Sequence, residues 1–209
     1  MEYLPAIFTV AVVHLLAVIS PGPDFVMITR NSLLYSRKTG MYSAVGLGLG
    51  ILVHVVYSLV GIGLLISQSV ILFNTIKYVG AAYLIYIGFK SLTSKSEKLH
   101  VAQGETKKDI SVGKAIQIGF LTNVLNPKVT LFFLSLFTLV ISPQTPLTIK
   151  IVMGVEMVGV TILWFAFVAY LFSHHLIKSR VNKIQEYTGK FIGVILIGLG
   201  IKVAFSTSK

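Results

Sequence analysis

The sequence has no cysteine. Disulfides, thiolate metal sites and thiol nucleophiles are therefore excluded. Charge is also scarce: 12% of the 209 residues are Asp, Glu, Lys or Arg, against about 25% in a soluble domain. Acidic residues are fewest, 7 against 18 Lys and Arg. No glycine-rich loop ending in Lys-Ser or Lys-Thr occurs, so no nucleotide motor lies in this chain. Neither His-Glu-x-x-His nor Gly-x-Ser-x-Gly is present, which removes two common hydrolase signatures. There is no row of arginines for a voltage sensor and no filter-like Thr-Val-Gly-Tyr-Gly for an ion channel.

What the chain has is apolar length. It is 55% hydrophobic, with a mean hydropathy of +0.84. The apolar residues come in runs of about twenty, the length that crosses a ~30 Å hydrocarbon core as a helix. Six spans are expected, at about Leu4–Thr29, Met41–Ser67, Ile71–Leu92, Val112–Ile141, Leu147–Phe172 and Thr188–Phe205. The reading is an all-α integral membrane protein, multi-pass, its 209 residues forming a single transmembrane domain. The net charge of +11 does not point to nucleic acid, because the basic residues fall between the apolar runs, where membrane topology puts them. Glu2, and the lack of Lys or Arg before the first run, do not fit a cleavable signal.

The longest gap, 93–111, holds Lys95, Glu97, Lys98, Glu105, Lys107, Lys108 and Asp109. It reads as a polar linker between a first half, 1–92, and a second, 112–209. Lys and Arg counts orient the spans. One side receives Arg30, Arg37, Lys38, Lys90, Lys95, Lys98, Lys107, Lys108, Lys114, Lys178, Arg180, Lys183 and Lys190; the other receives Lys77, Lys150, Lys202 and Lys209. The first side is expected to be cytoplasmic, the linker included, with both termini extracytoplasmic. Three spans per half is an odd number, so the second half must be inverted. Tyr78-Val79-Gly80 and Tyr187-Thr188-Gly189, Gly88-Phe89-Lys90 and Gly200-Ile201-Lys202, Val45-Gly46 and Met153-Gly154, and Pro23 and Pro127 recur at offsets between 104 and 112 residues, which supports an inverted repeat.

The first and fourth spans are interrupted. Ser20-Pro21-Gly22-Pro23-Asp24 breaks one and Asn126-Pro127-Lys128 the other. A proline inside a helix removes a donor and crowds the carbonyl four residues back, and at membrane depth that carbonyl must find protein or water. Paired breaks in two halves mark a transporter's binding site. Asp24 reads as a carboxylate for a substrate amine, a proton, or both in turn; otherwise it caps the turn after Pro21. Pro127 should free the carbonyl of Asn123, while Asn123 and Asn126 offer polar side chains beside it. Lys128 and the half-helix amides would suit a substrate carboxylate; otherwise Lys128 only neutralises Asp24 across a proline kink. Gly22 should let the backbone turn sharply and approach a ligand.

Three more ionisable groups lie at apparent membrane depth. His14 and His54 are secondary site candidates whose bland reading is hydrogen-bonded packing. Glu156, between Val155 and Met157, is a second candidate for proton coupling. The spacing of these groups supports no metal site, and no cofactor is expected. Gly46/Gly50 and Gly189/Gly193 allow close helix contact, within one subunit more readily than in a homo-oligomer. Trp164, Tyr57 and Tyr170 either line a pocket or pack.

The segment His14-Leu15-Leu16-Ala17-Val18-Ile19-Ser20-Pro21-Gly22-Pro23-Asp24-Phe25 resembles the first-span motif of the lysine-exporter (LysE/RhtB) superfamily, in its homoserine/threonine-exporter branch. Leu121-Thr122-Asn123-Val124-Leu125-Asn126-Pro127-Lys128 resembles the same family's fourth-span motif. Length, span number and linker position are similar throughout. The resemblance implies a bacterial inner-membrane exporter of amino acids, driven by proton antiport and closest to the threonine type; the Gly-Pro-Gln-Asn version of lysine and arginine exporters is absent. Its partners would be a small amino acid, a proton and the lipid bilayer. Two rivals remain: an exporter of metal cations or other small polar metabolites, and a membrane-embedded enzyme using His14, His54, Asp24 and Glu156.

Overall fold

Prolines set where the long apolar runs are cut into helices. The computed structural model describes residues 3–68, 70–93, 108–140, 145–173 and 181–205, which contain eight helices and no strand. Helix α1 (Leu4–Ile19) stops ahead of Pro21, and α2 (Pro23–Leu34) restarts on Pro23 with Asp24 in its first turn. Proline is favourable there, since its fixed φ suits the first helical position and its missing N–H would be unpaired anyway. The two segments are bent by 57° and together have the composition of one broken span. Helices α3 (Arg37–Gln68) and α4 (Val70–Thr93) follow. In the second half, α5 (Val112–Val124) is capped by Ser111, whose hydroxyl accepts from the Lys114 amide at 3.3 Å. Pro127 then starts α6 (Pro127–Val140); α7 (Leu147–Phe172) and α8 (Val181–Phe205) complete the order.

Both expected breaks are present. Elsewhere helix length and apolar length differ. Helix α3 begins at Arg37 and α8 at Val181, earlier than the apolar runs at Met41 and Thr188, because hydropathy locates the lipid-facing part of a helix and not its polar extension. Residues 94–107 of the expected linker lie outside the described residues, with Lys95, Lys98 and Lys107 among them; so do Lys178, Arg180 and Lys209. By length and composition alone, α3 (over Arg37–Leu59) and α7 could each cross a membrane, and the bent α1–α2 pair counts as a third span.

Small residues decide which helices meet. A Cβ on Gly46 of α3 would collide with the Ile116 carbonyl of α5, and one on Gly119 with the Ser43 carbonyl. Helices α4 and α8 meet reciprocally: a Cβ on Gly88 would lie 2.6 Å from the Gly193 oxygen, and one on Gly193 2.6 Å from the Gly88 oxygen. Helix α3 runs antiparallel to α7, with Gly40 beside Ala169, Gly48 beside Ile162 and Val55 beside Gly154. Large side chains such as Phe8, Val155, Leu163 and Phe191 remain exposed around the outside, as a lipid-facing surface requires. Inside, Val10, Phe132, Phe133, Met153 and Met157 form one apolar cluster, and Phe25, Ile28, Leu47 and Phe165 another. The two helix breaks lie between these clusters.

Candidate functional site

Each break frees backbone carbonyls, and each set is claimed by a side chain from far along the chain. Pro21 denies the Ala17 carbonyl its helical donor. Lys128 Nζ donates there to three oxygens: Ser20 at 2.9 Å, Pro21 at 3.2 Å and Ala17 at 3.5 Å. The ammonium thus sits at the negative end of α1, where a cation is favoured. Pro127 frees the Asn123 carbonyl in the same way. That oxygen accepts from the Asn126 amide at 3.0 Å and from His54 Nε2 at 3.1 Å. A carbonyl can only accept, so Nε2 carries the proton; in the neutral ring Nδ1 accepts from the Tyr57 hydroxyl at 2.7 Å. His54 is therefore a hydrogen-bonded packing residue, stacked at 5.4 Å on the Phe133 ring.

Asp24 faces the other break. Its Oδ2 accepts from Asn123 Nδ2 at 2.7 Å and its Oδ1 from Asn126 Nδ2 at 3.0 Å. Asn126 cannot flip freely: its Oδ1 caps α6 by accepting from the Lys128 amide at 3.0 Å, so its NH2 must point to Asp24. Asn123 is fully buried, and its Oδ1 has no partner. Asp24 and Asn126 are buried as well. Asp24 thus has two amide donors, with the unpaired Asn123 oxygen beside it, and all of these atoms are acceptors or face acceptors.

These groups line one shared cavity. Ser20, Gly22, Asp24, Asn123, Asn126 and Lys128 make its polar end, and Phe25, Ile51, Phe132, Phe133 and Phe165 its apolar wall. Asn123 packs on Gly50 of α3, next to the turn of α3 that faces Val158 and Ile162 in mid-α7. The cavity is therefore level with the middle of the bundle. Asp24 and Lys128 make no direct ion pair; the ammonium's contacts are the three carbonyls. Gly22 has an extended backbone, φ 178° and ψ −174°, so it is not a left-handed turn. What it supplies is room, since a Cβ there would lie 3.3 Å from Lys128 Nζ.

The remaining candidates separate. His14 lines the cavity from α1, and Thr161, which sequence reasoning missed, lines it from α7. The only signal for Thr161 was a hydroxyl within the apolar run Val158–Phe165. Glu156 is not part of the cavity lining, and both of its carboxyl oxygens are buried without a partner. Tyr57, Trp164 and Tyr170 pack outside the cavity; Arg37 stands 5.2 Å over the Tyr170 ring. Among the described residues no three His, Asp or Glu side chains gather as metal ligands would.

A family model described as LysE type translocator matches residues 15–207. The chain belongs to the LysE type translocator family. This translocator is similar to the uncharacterized membrane protein YrhP of Bacillus subtilis (strain 168), 35% identical over 196 residues, 90% of this chain and 93% of the relative. The threonine efflux protein of Escherichia coli (strain K12) is 29% identical over 199 residues, covering 95% and 97% of the two chains. The leucine efflux protein of Salmonella choleraesuis (strain SC-B67) is 27% identical over 195 residues, covering 90% and 89%. No solved structure matches the translocator. It is a membrane protein and not an enzyme. Of the four residues in the enzyme reading, His14 and Asp24 line the cavity, whereas Glu156 and His54 do not.

Proposed function

We propose that this translocator exports small, threonine- or homoserine-like amino acids across the bacterial inner membrane in exchange for protons. The observation that carries the reading is the polar end of the cavity: a buried carboxylate, an unpartnered amide oxygen and an ammonium face one space at mid-bundle. A zwitterion has the complementary groups. Its ammonium fits Asp24 and Asn123 Oδ1, and its carboxylate fits Lys128. The resemblance to a threonine efflux protein over nearly the full length of both chains supports the substrate class.

Lys128 would bind the carboxylate by exchange. Its long bonds to Ala17 and Pro21 give way first, and the bond to Ser20 last. That exchange uncaps α1 and loosens the α1–α2 hinge at Pro21, Gly22 and Pro23, opposite the hinge at Pro127. Protonation of Asp24 from outside would release the substrate ammonium, and loss of that proton inside would restore the site. Glu156 is the second candidate for holding the coupling proton, because a buried carboxyl without donors is a place to take one up. Six spans in two inverted three-helix halves, with both termini outside, frame the mechanism. The approach of Gly88 to Gly193 and of Gly200 to Ala81 supports it: the register that pairs Gly88 with Gly200 also pairs Ala81 with Gly193, so an internal two-fold axis passing between α4 and α8 would turn one contact into the other.

Efflux of preloaded threonine and homoserine, from cells lacking their own exporters, tests the proposal. The wild-type chain should speed efflux in proportion to its expression, collapse of the proton gradient should slow it, and Asp24→Asn should abolish it. Efflux unaffected by Asp24→Asn at equal expression would remove Asp24 from the mechanism.

A further inference from the structure

The cavity lining has a second polar pair besides the groups at the two breaks. His14 is 1% exposed and Thr161 fully buried, and both line the cavity. His14 Nε2 and Thr161 Oγ1 are 3.4 Å apart, and His14 Nδ1 is buried with no partner at all. The ring is held edgewise to Phe133, 6.1 Å between centroids, and tilted against Phe132 at 6.2 Å. An imidazole nitrogen left unpaired in an apolar wall is a costly feature unless something meets it.

We infer that His14 is the side-chain recognition group of this transporter: it receives the hydroxyl of a hydroxylated amino acid, and Thr161 positions its ring. The inference rests on the exporter reading above and deepens it. Geometry on α1 supplies the scale. Ala17, whose carbonyl touches Lys128 Nζ, is three residues after His14. The two positions therefore neighbour each other across one turn, about 5–6 Å apart. An amino acid with its carboxylate at Lys128 reaches that point with a short side chain. A hydroxyl both donates and accepts, so it satisfies Nδ1 whichever tautomer the contact with Thr161 selects. A methyl group of the same size leaves Nδ1 unpaired. Sites that hydrogen-bond a substrate hydroxyl discriminate against the analogue lacking it for this reason.

Efflux of threonine and of its near-isostere valine, each preloaded into exporter-deficient cells, gives a ratio that is independent of expression. His14→Leu should lower the threonine-to-valine ratio about tenfold, the effect of one lost hydrogen bond. Thr161→Val should lower it about threefold, and Thr161→Ser should keep the wild-type ratio. His14→Gln, which retains a polar side chain, guards against a folding defect and should lie between wild type and His14→Leu. A ratio unchanged in both His14→Leu and His14→Gln, or efflux of both amino acids falling in parallel, overturns the assignment while leaving the exporter reading intact. A wild-type chain that exports neither amino acid overturns both.

Discussion

At the residue scale, the centre of the molecule is an exchange of partners between two broken helices. Lys128 of α6 serves the carbonyls of α1, and Asn123 and Asn126 serve Asp24 of α2. Asp24→Asn should be accommodated without loss of fold, because the neighbouring amides can re-pair. Asn123 turns its amide so that its unpaired Oδ1 accepts from the new NH2, while Asn126 keeps donating to the new oxygen. We expect wild-type levels of folded protein by fluorescence-detected size exclusion, with efflux lost. His54→Phe behaves oppositely. It leaves one lone pair of the buried Asn123 carbonyl unpaired, at about 1–3 kcal/mol, while the Tyr57 hydroxyl keeps the Thr130 carbonyl at 3.4 Å, so the melting temperature in detergent should fall. The sequence reveals the freed carbonyl of Asn123 through Pro127. It cannot reveal the donor, because His54 arrives from another helix, 69 residues away. Lys128 was harder still. Charge counting pairs it with Asp24, whereas the negative end of α1 is what it meets, and a helix end carries no letter in the sequence.

At the element scale, the bundle is held by glycine contacts where backbones almost touch. The α3–α5 crossing leaves no room for a Cβ at Gly46 or Gly119, since each would strike a carbonyl of the partner helix. Backbone cannot yield as a flexible side chain can. Gly119→Leu should therefore force the crossing apart and shift Asn123, one turn further along α5, away from Asp24; both folded yield and efflux should drop. Gly113, on the same helix with nothing within 4 Å of its added Cβ, provides the control: Gly113→Ala should leave both unchanged. The breaks themselves were legible because proline acts locally. Helix starts were less so. The α8 segment from Val181 is helical before it is apolar, and a reading based on hydropathy stops at the membrane surface.

At the scale of the whole molecule, the absence of cysteine makes orientation directly measurable, because any introduced thiol is the only one present. Arg37, over the Tyr170 ring, and Asp109, whose Oδ1 accepts from the Thr39 hydroxyl at 3.0 Å, gather at one end of the bundle. The starts of α3 and α5 and the end of α7 thus share a face, the one that the Lys and Arg distribution assigns to the cytoplasm. Ser36→Cys, between α2 and α3, should react with a membrane-impermeant maleimide only after cells are opened. Thr148→Cys, at the start of α7, should react in intact cells. Val18→Cys lies on the cavity wall and tests alternating access. It should react slowly, and added threonine should change its rate because an occupied cavity shields it or shifts the population of the two openings. Labelling of Ser36→Cys in intact cells would invert the assignment of the two faces. A Val18→Cys rate unaffected by threonine at concentrations that saturate efflux would move the substrate out of the cavity between the breaks.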